Sequence, residues 1–110
     1  MNTTGRTDAN DLFIALGHPI RRQILREMIR RRIELSPSEL ADDLDHSLSK
    51  LSYHVSILLD CGAIELVKTQ PTRGSTQHFY RSALEAEWAR KALRATAPGA
   101  DGRRRGEEIG

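Results

Sequence analysis

One cysteine, Cys61, stands in 110 residues, so no disulfide closes within the chain and no thiolate cluster holds a metal. No apolar run approaches the roughly 18 residues that a bilayer-spanning helix needs. Met1 to Thr7 are polar where a signal peptide would carry an apolar core. These absences predict a cytoplasmic protein with no membrane partner. A glycine-rich phosphate loop is missing too, as is a nucleophile paired with a base and an orienting group. With so little chain for a substantial pocket, an enzyme is not expected. Charge of one sign is also scarce: 17 Lys and Arg against 15 Asp and Glu give a formal net charge of +2. That weak positivity is compatible with nucleic-acid binding without arguing for it.

What the chain does have is charge in blocks. Arg21, Arg22, Arg26, Arg30, Arg31 and Arg32 crowd one region, and Glu39, Asp42, Asp43 and Asp45 the next. The length describes one small domain, near the size at which a single core suffices, and such domains often gain stability by pairing. We expect a flexible arm over 1–7, a folded domain over 8–95, and a disordered basic tail over 96–110. The tail carries Pro98, several glycines and Arg103-Arg104-Arg105.

The stretch from Ser47 to Gly62 organises the rest. Leu51, Val55 and Leu58 fall at i, i+4 and i+7, an apolar stripe suited to the core-facing side of a helix. Ser49, Lys50, Ser52, Tyr53 and Ser56 lie off that stripe. Short hydroxyls, one cation and an aromatic hydroxyl can hydrogen-bond phosphates and base edges without bulk that would hold a helix out of a groove. Ser47 is a good N-cap, and Gly62 can take the left-handed conformation that ends a helix. By itself the segment is equally an amphipathic helix with a solvated serine face; its neighbours decide between the two. Cys61, close to its end, reads as a small packing residue rather than a redox handle.

Ahead of it, Asp8 or Asn10 caps a short helix through Leu12, Phe13, Ala15 and Leu16 that ends at Gly17. That helix either covers the core or meets a partner chain. Pro19 opens a second helix, with Ile20, Ile24, Leu25 and Met28 on its core side and arginines on a face read as solvated. Ile33-Glu34-Leu35 alternates like a short strand. Ser36-Pro37-Ser38-Glu39 is a capping box with proline at the first helical position, and it opens a helix through Leu40, Ala41 and Leu44. A turn at Asp45 and His46 joins this helix to the next, and two helices so joined make a helix-turn-helix.

Behind Gly62, the runs around Ile64, Leu66 and His78-Phe79-Tyr80 form a hairpin with a polar tip from Thr69 to Ser75. A hairpin in this position is a wing, covering 69–76 at its tip, and Arg73 there is set to reach a phosphate or the minor groove. Ser82-Ala83-Leu84-Glu85 starts a last helix in which Leu84, Trp88 and Ala92 share a stripe. Trp88 is the only tryptophan, covered either by a dimer partner or by the helix folding back on its own core. The expected fold is mainly α with a small β-hairpin, in the order α-α-β-α-α-β-β-α of a winged helix-turn-helix.

Three stretches carry a resemblance: Ala15-Leu-Gly-His-Pro-Ile-Arg-Arg-Gln-Ile-Leu25, Ser47 to Gly62 with its Leu51-Ser-Tyr-His-Val55 centre, and Thr72-Arg-Gly-Ser-Thr-Gln-His-Phe-Tyr-Arg81. In this order and spacing the chain resembles the ArsR type of bacterial transcriptional regulators, over about residues 9 to 94. The resemblance implies a homodimer, held here by Leu12, Phe13, Leu16, Leu84, Trp88 and Ala92 of the first and last helices. It implies double-stranded DNA as partner, read in the major groove by Ser47, Ser49, Lys50, Ser52, Tyr53 and His54, with Arg73 in the wing. Ser56 joins this set from its position alone. His54 also suits a core histidine, because it lies next to the Leu51 and Val55 stripe.

Leu48 departs from the family pattern, in which a polar residue often faces the groove; a thymine methyl contact and weaker sequence reading are the two outcomes. Lys50 is the only Lys or Arg of the segment, so phosphate affinity has to come from Arg73, Lys68 and the helix N-terminus as well. Many relatives sense metals through paired cysteines before the reading helix or through His and acidic ligands on the last helix. Ser36 to Leu44 has no Cys and Ser82 to Thr96 no His, so neither a regulatory metal nor a cofactor is expected. The implied function is a sequence-specific homodimeric regulator, more often a repressor, whose signal is a small molecule or a partner protein. The alternative is a winged helix used as a protein-interaction module.

Overall fold

The computed structural model describes residues 9–84 together with Glu87, Arg90, Lys91 and Leu93. Four helices come first, α1 (Ala9–Leu16), α2 (Pro19–Arg31), α3 (Pro37–Leu44) and α4 (Leu48–Asp60). An antiparallel hairpin of β1 (Ile64–Thr72) and β2 (Ser75–Ser82) follows. Glu87, Arg90, Lys91 and Leu93 are helical, as expected of a last helix. The arm over 1–7, the tail over 96–110, Trp88 and Ala92 lie outside the described residues.

Local chemistry sets the helix ends. The Ser36 hydroxyl accepts from the Glu39 N–H at 3.2 Å while the Glu39 carboxylate accepts from the Ser36 N–H at 3.0 Å, the reciprocal pair of a capping box. Pro19 and Pro37 sit in first turns, where a missing N–H costs nothing. α2 ends at Arg32 and α3 at Asp45, both left-handed, with φ of 58° and 59°. Gly62 is left-handed as well, as its place after α4 predicts.

The core is aliphatic. Ile24, Leu25, Leu35, Leu40, Leu51, Leu58 and Leu93 are fully buried in it, each worth about 1.5–3 kcal/mol relative to exposure. The stripe of α4 is there as its spacing predicts, Leu51, Val55 and Leu58 all facing inward. The expected strand at Ile33–Leu35 is reduced to a single bridge, Leu35 to Tyr80, with N–H···O distances of 2.8 and 3.0 Å. Only three residues separate the left-handed Arg32 from the cap Ser36, too few for a regular strand. The bridge still fastens the hairpin to the helices, joined at its base by Ala83 N–H to the Ala63 carbonyl at 2.8 Å.

Arginines of α2 hold α1 and α4 in place. Arg21 donates from Nε to the Ile14 carbonyl at 2.9 Å, and Arg22 donates to the Leu16 carbonyl at 2.6 Å. Both carbonyls belong to the last turn of α1, where acceptors lack helical partners. The guanidinium of Arg21 also lies 3.2 Å from His54 Nδ1, and the rings of His54 and His18 are 4.3 Å apart. His18 caps α2, its Nδ1 accepting from Ile20 N–H at 3.1 Å. An imidazole nitrogen accepts only when it carries no proton, so both contacts require neutral rings.

Two outcomes follow from this packing. A Cβ on Gly17 would stand 2.8 Å from the Phe13 carbonyl oxygen, so Gly17→Ala should destabilise the fold by about 1–3 kcal/mol in chemical denaturation; an unchanged midpoint would show that the α1–α2 corner yields freely. Burial, ahead of neighbouring charge, holds His18, His46 and His54 below the ordinary histidine value. The unfolded chain therefore takes up more protons near and below pH ~6.5. Stability contributed by these rings is present above that pH and lost as pH falls through the lowered folded values. Thermal unfolding followed between pH 7.5 and 5 should show this loss, and His54→Gln should flatten it; equal slopes would clear His54.

Candidate nucleic-acid interface

The helix-turn-helix is built by α3, the left-handed Asp45 and α4. His46 fixes the turn, its Nε2 lying 3.0 Å from Gln23 Oε1 of α2. Ser47 caps α4, its hydroxyl accepting from Lys50 N–H at 3.2 Å. With Leu51, Val55 and Leu58 in the core, the opposite face of α4 is left to solvent.

Ser47, Ser49, Lys50, Tyr53 and Ser56 are exposed on α4 and Ser52 is half-buried beside them. Tyr53 is 63 % exposed and stands at the centre of that face, its ring edge-on to His54 at 5.0 Å. The Ser56 hydroxyl donates to the Ser52 carbonyl at 3.2 Å, which keeps its oxygen free to accept. His54 requires a correction. It is 5 % exposed and turned into the domain against His18 and Arg21, so it cannot reach a base; its part is to seat α4.

The wing is longer and tighter than the sequence suggests. Pairing continues from Ile64↔Ser82 to Thr72↔Ser75, with one irregularity between Leu66 and Lys68, and the loop is only Arg73-Gly74. Gly74 takes φ 79°, which a two-residue turn needs here. Pro71 is tolerated inside β1 because a two-stranded sheet consists of edges. The Thr72 and Ser75 hydroxyls, 3.0 Å apart, close the tip. Arg73 is exposed there, and exposed Gln70 and Thr76 line the same end, residues that alternation through Pro71 would have shown.

Lys68, expected to add phosphate affinity, is engaged within the chain. It pairs with Glu34 at 3.4 Å and stands 5.1 Å over the Phe79 ring. Much of the arginine block is likewise engaged within the chain: Arg30 and Arg31 pair with Glu27, and Arg31 also with Asp43, while Arg32 is exposed.

Of the residues expected at a dimer interface, Leu12 and Leu84 are taken up by the chain's own core and Leu16 packs against it. Phe13, in contrast, is 77 % exposed, with Ile14 exposed beside it. Cys61 is buried, its thiol pushed up by burial, and it donates weakly to the Leu58 carbonyl at 3.5 Å, a packing role. Among the described residues no three His, Cys, Asp or Glu side chains gather into a metal-holding group, and no helix is long and apolar enough to cross a membrane.

Comparison with known families and structures agrees with this geometry. Residues 16–67 match the model of a helix-turn-helix domain family. Among solved structures, an ArsR family transcriptional regulator is similar with 28 % identity over 78 % of each chain and a TM-score of 0.52. A possible transcriptional regulatory protein from Mycobacterium bovis, a fragment of residues 1–100, shares the fold at 22 % identity and TM-score 0.56, over 88 % of this chain and all of the other. Comparison with curated proteins finds no match. With its helix-turn-helix and its fastened hairpin, the chain has a winged helix-turn-helix fold, contains a helix-turn-helix domain and is similar to an ArsR family transcriptional regulator.

Proposed function

We propose that the chain is a homodimeric, sequence-specific DNA-binding repressor of transcription that works in the cytoplasm without a regulatory metal. The observation that carries this reading is the division of α4. One side is wholly in the core, while the other offers Ser49, Lys50, Ser52, Tyr53 and Ser56 on a capped helix whose N-terminus is open to an anion. Two such helices in a dimer enter successive major grooves about 34 Å apart on a near-palindromic site, and the Arg73 wings touch the flanking DNA. Phe13 and Ile14 supply the apolar contact between subunits together with the last helix. A small molecule or partner protein that changes the angle between subunits changes affinity for the site. No catalytic role is assigned.

One observation favours a second reading, a protein-interaction module. Most arginines of α2 bond within the chain, and three large hydrophobic side chains, Leu48, Tyr53 and Leu59, are exposed on α4.

Fluorescence anisotropy on duplex DNA from upstream of the protein's own gene, against scrambled duplex over a salt series, separates the two. A regulator should prefer one duplex by about a thousandfold or more, and Arg73→Ala should flatten the salt slope by about one unit per subunit. A slope near zero on every duplex would select the interaction module. Phe13→Glu should raise the dimer dissociation constant by roughly thirtyfold or more in sedimentation velocity; an unchanged dimer would move the interface away from α1.

A further inference from the structure

The groove face of α4 is short of the side chains that read bases by paired hydrogen bonds. Guanine is commonly recognised by arginine or lysine and adenine by asparagine or glutamine. From Ser47 to Asp60 there is no Arg, Asn or Gln, and Lys50 is the one cation. The serines offer hydroxyls that donate or accept, so each tolerates several base edges.

Two large side chains with apolar surface flank these serines on the exposed part of α4, about 140° apart around the helix axis. Leu48, 51 % exposed, is the first residue of α4, in the turn that meets base edges when a helix-turn-helix docks. It has no way inward, because Leu51 and Val55 already fill the core side of this turn. Tyr53 lies five residues on, its ring steadied by the edge of His54. The apolar feature that the major groove offers is the C5 methyl of thymine. Leu48 and Tyr53 are separated by about 7.5 Å of helix rise, more than one base-pair step of about 3.4 Å, so they meet different base pairs.

We propose that α4 selects its site through thymine methyl groups, one covered by Leu48 and one by the ring of Tyr53, rather than through paired hydrogen bonds to guanine or adenine. This rests on the reading that α4 enters the major groove. The operator half-site then carries thymines on two separate base pairs, and cytosine in their place is rejected for lack of the methyl.

Sites are selected from a pool of random duplexes with the full chain. Each thymine of the selected half-site is then replaced singly by deoxyuridine, which removes the methyl and leaves every hydrogen-bonding group. Two positions should each lose about fourfold in affinity. Leu48→Ala should make one of them indifferent to the replacement while keeping the other, and because Leu48 is exposed the variant keeps its fold. A selected site in which no uracil replacement alters binding overturns this proposal alone, using the unaltered protein. A pool that yields no enriched site overturns the groove reading and the proposal with it.

Discussion

The seat of α4 on α2 is the constraint on which the rest depends. Arg21 spans it, one nitrogen on the Ile14 carbonyl at the end of α1 and another on the buried ring of His54 in α4. A single guanidinium therefore ties three helices together, and the planar fork of arginine is suited to such a task where a lysine is not. The ring it meets has to be neutral, because a protonated imidazole would turn a donor toward a donor. Burial keeps His54 in that form. The direction of the groove face is thus fixed relative to α1, whose Phe13 and Ile14 point away from the domain. The surface proposed for the partner chain and the surface proposed for DNA are held in register by one hydrogen-bonded contact rather than by a long path.

The wing follows a different logic. Two strands alone are marginal in water, and beyond Ile64 the hairpin leaves the core, almost all of β1 being exposed. It persists because its base is fastened, through the Leu35–Tyr80 bridge and the Ala63–Ala83 bond, and because cross-strand pairs such as Arg81 with Glu65 at 2.6 Å run along it. The tip is left polar and tight, which suits the proposed contact with DNA, made without burying apolar surface.

Much of this was legible in the sequence, and the reason is locality. The capping box at Ser36, the prolines at Pro19 and Pro37, the left-handed Gly62 and the stripe Leu51, Val55, Leu58 all depend on neighbours within a turn or two. The misreadings concern partners far away in the chain. His54 sits at the edge of the stripe, and only Arg21, 33 residues earlier, decides that it faces inward. Lys68 looked available until Glu34 and Phe79 came to it from other elements. On α1, a helix of eight residues, the period is too short to tell Leu12, which is buried, from Phe13, which is not. Fold class was open to local reasoning, whereas the supply of free charge was not, since it is what remains after tertiary pairing.

That remainder bears on how the protein holds DNA. Affinity for a duplex comes largely from cations at phosphates, yet the arginines of α2 are spent on carbonyls and carboxylates of the same chain and Lys68 on Glu34. Among the described residues of α4 and the wing tip this leaves Lys50, Arg73 and the N-terminus of α4. With so few phosphate contacts, one subunit alone is expected to bind weakly at physiological salt. Joining two subunits makes the second engagement intramolecular, and avidity then rises by about 10²–10⁴ without any new contact. In the proposed dimer the exposed phenyl ring of Phe13 would thereby become an energetic part of DNA binding: where the arginines of α2 are engaged within the chain, pairing substitutes for charge.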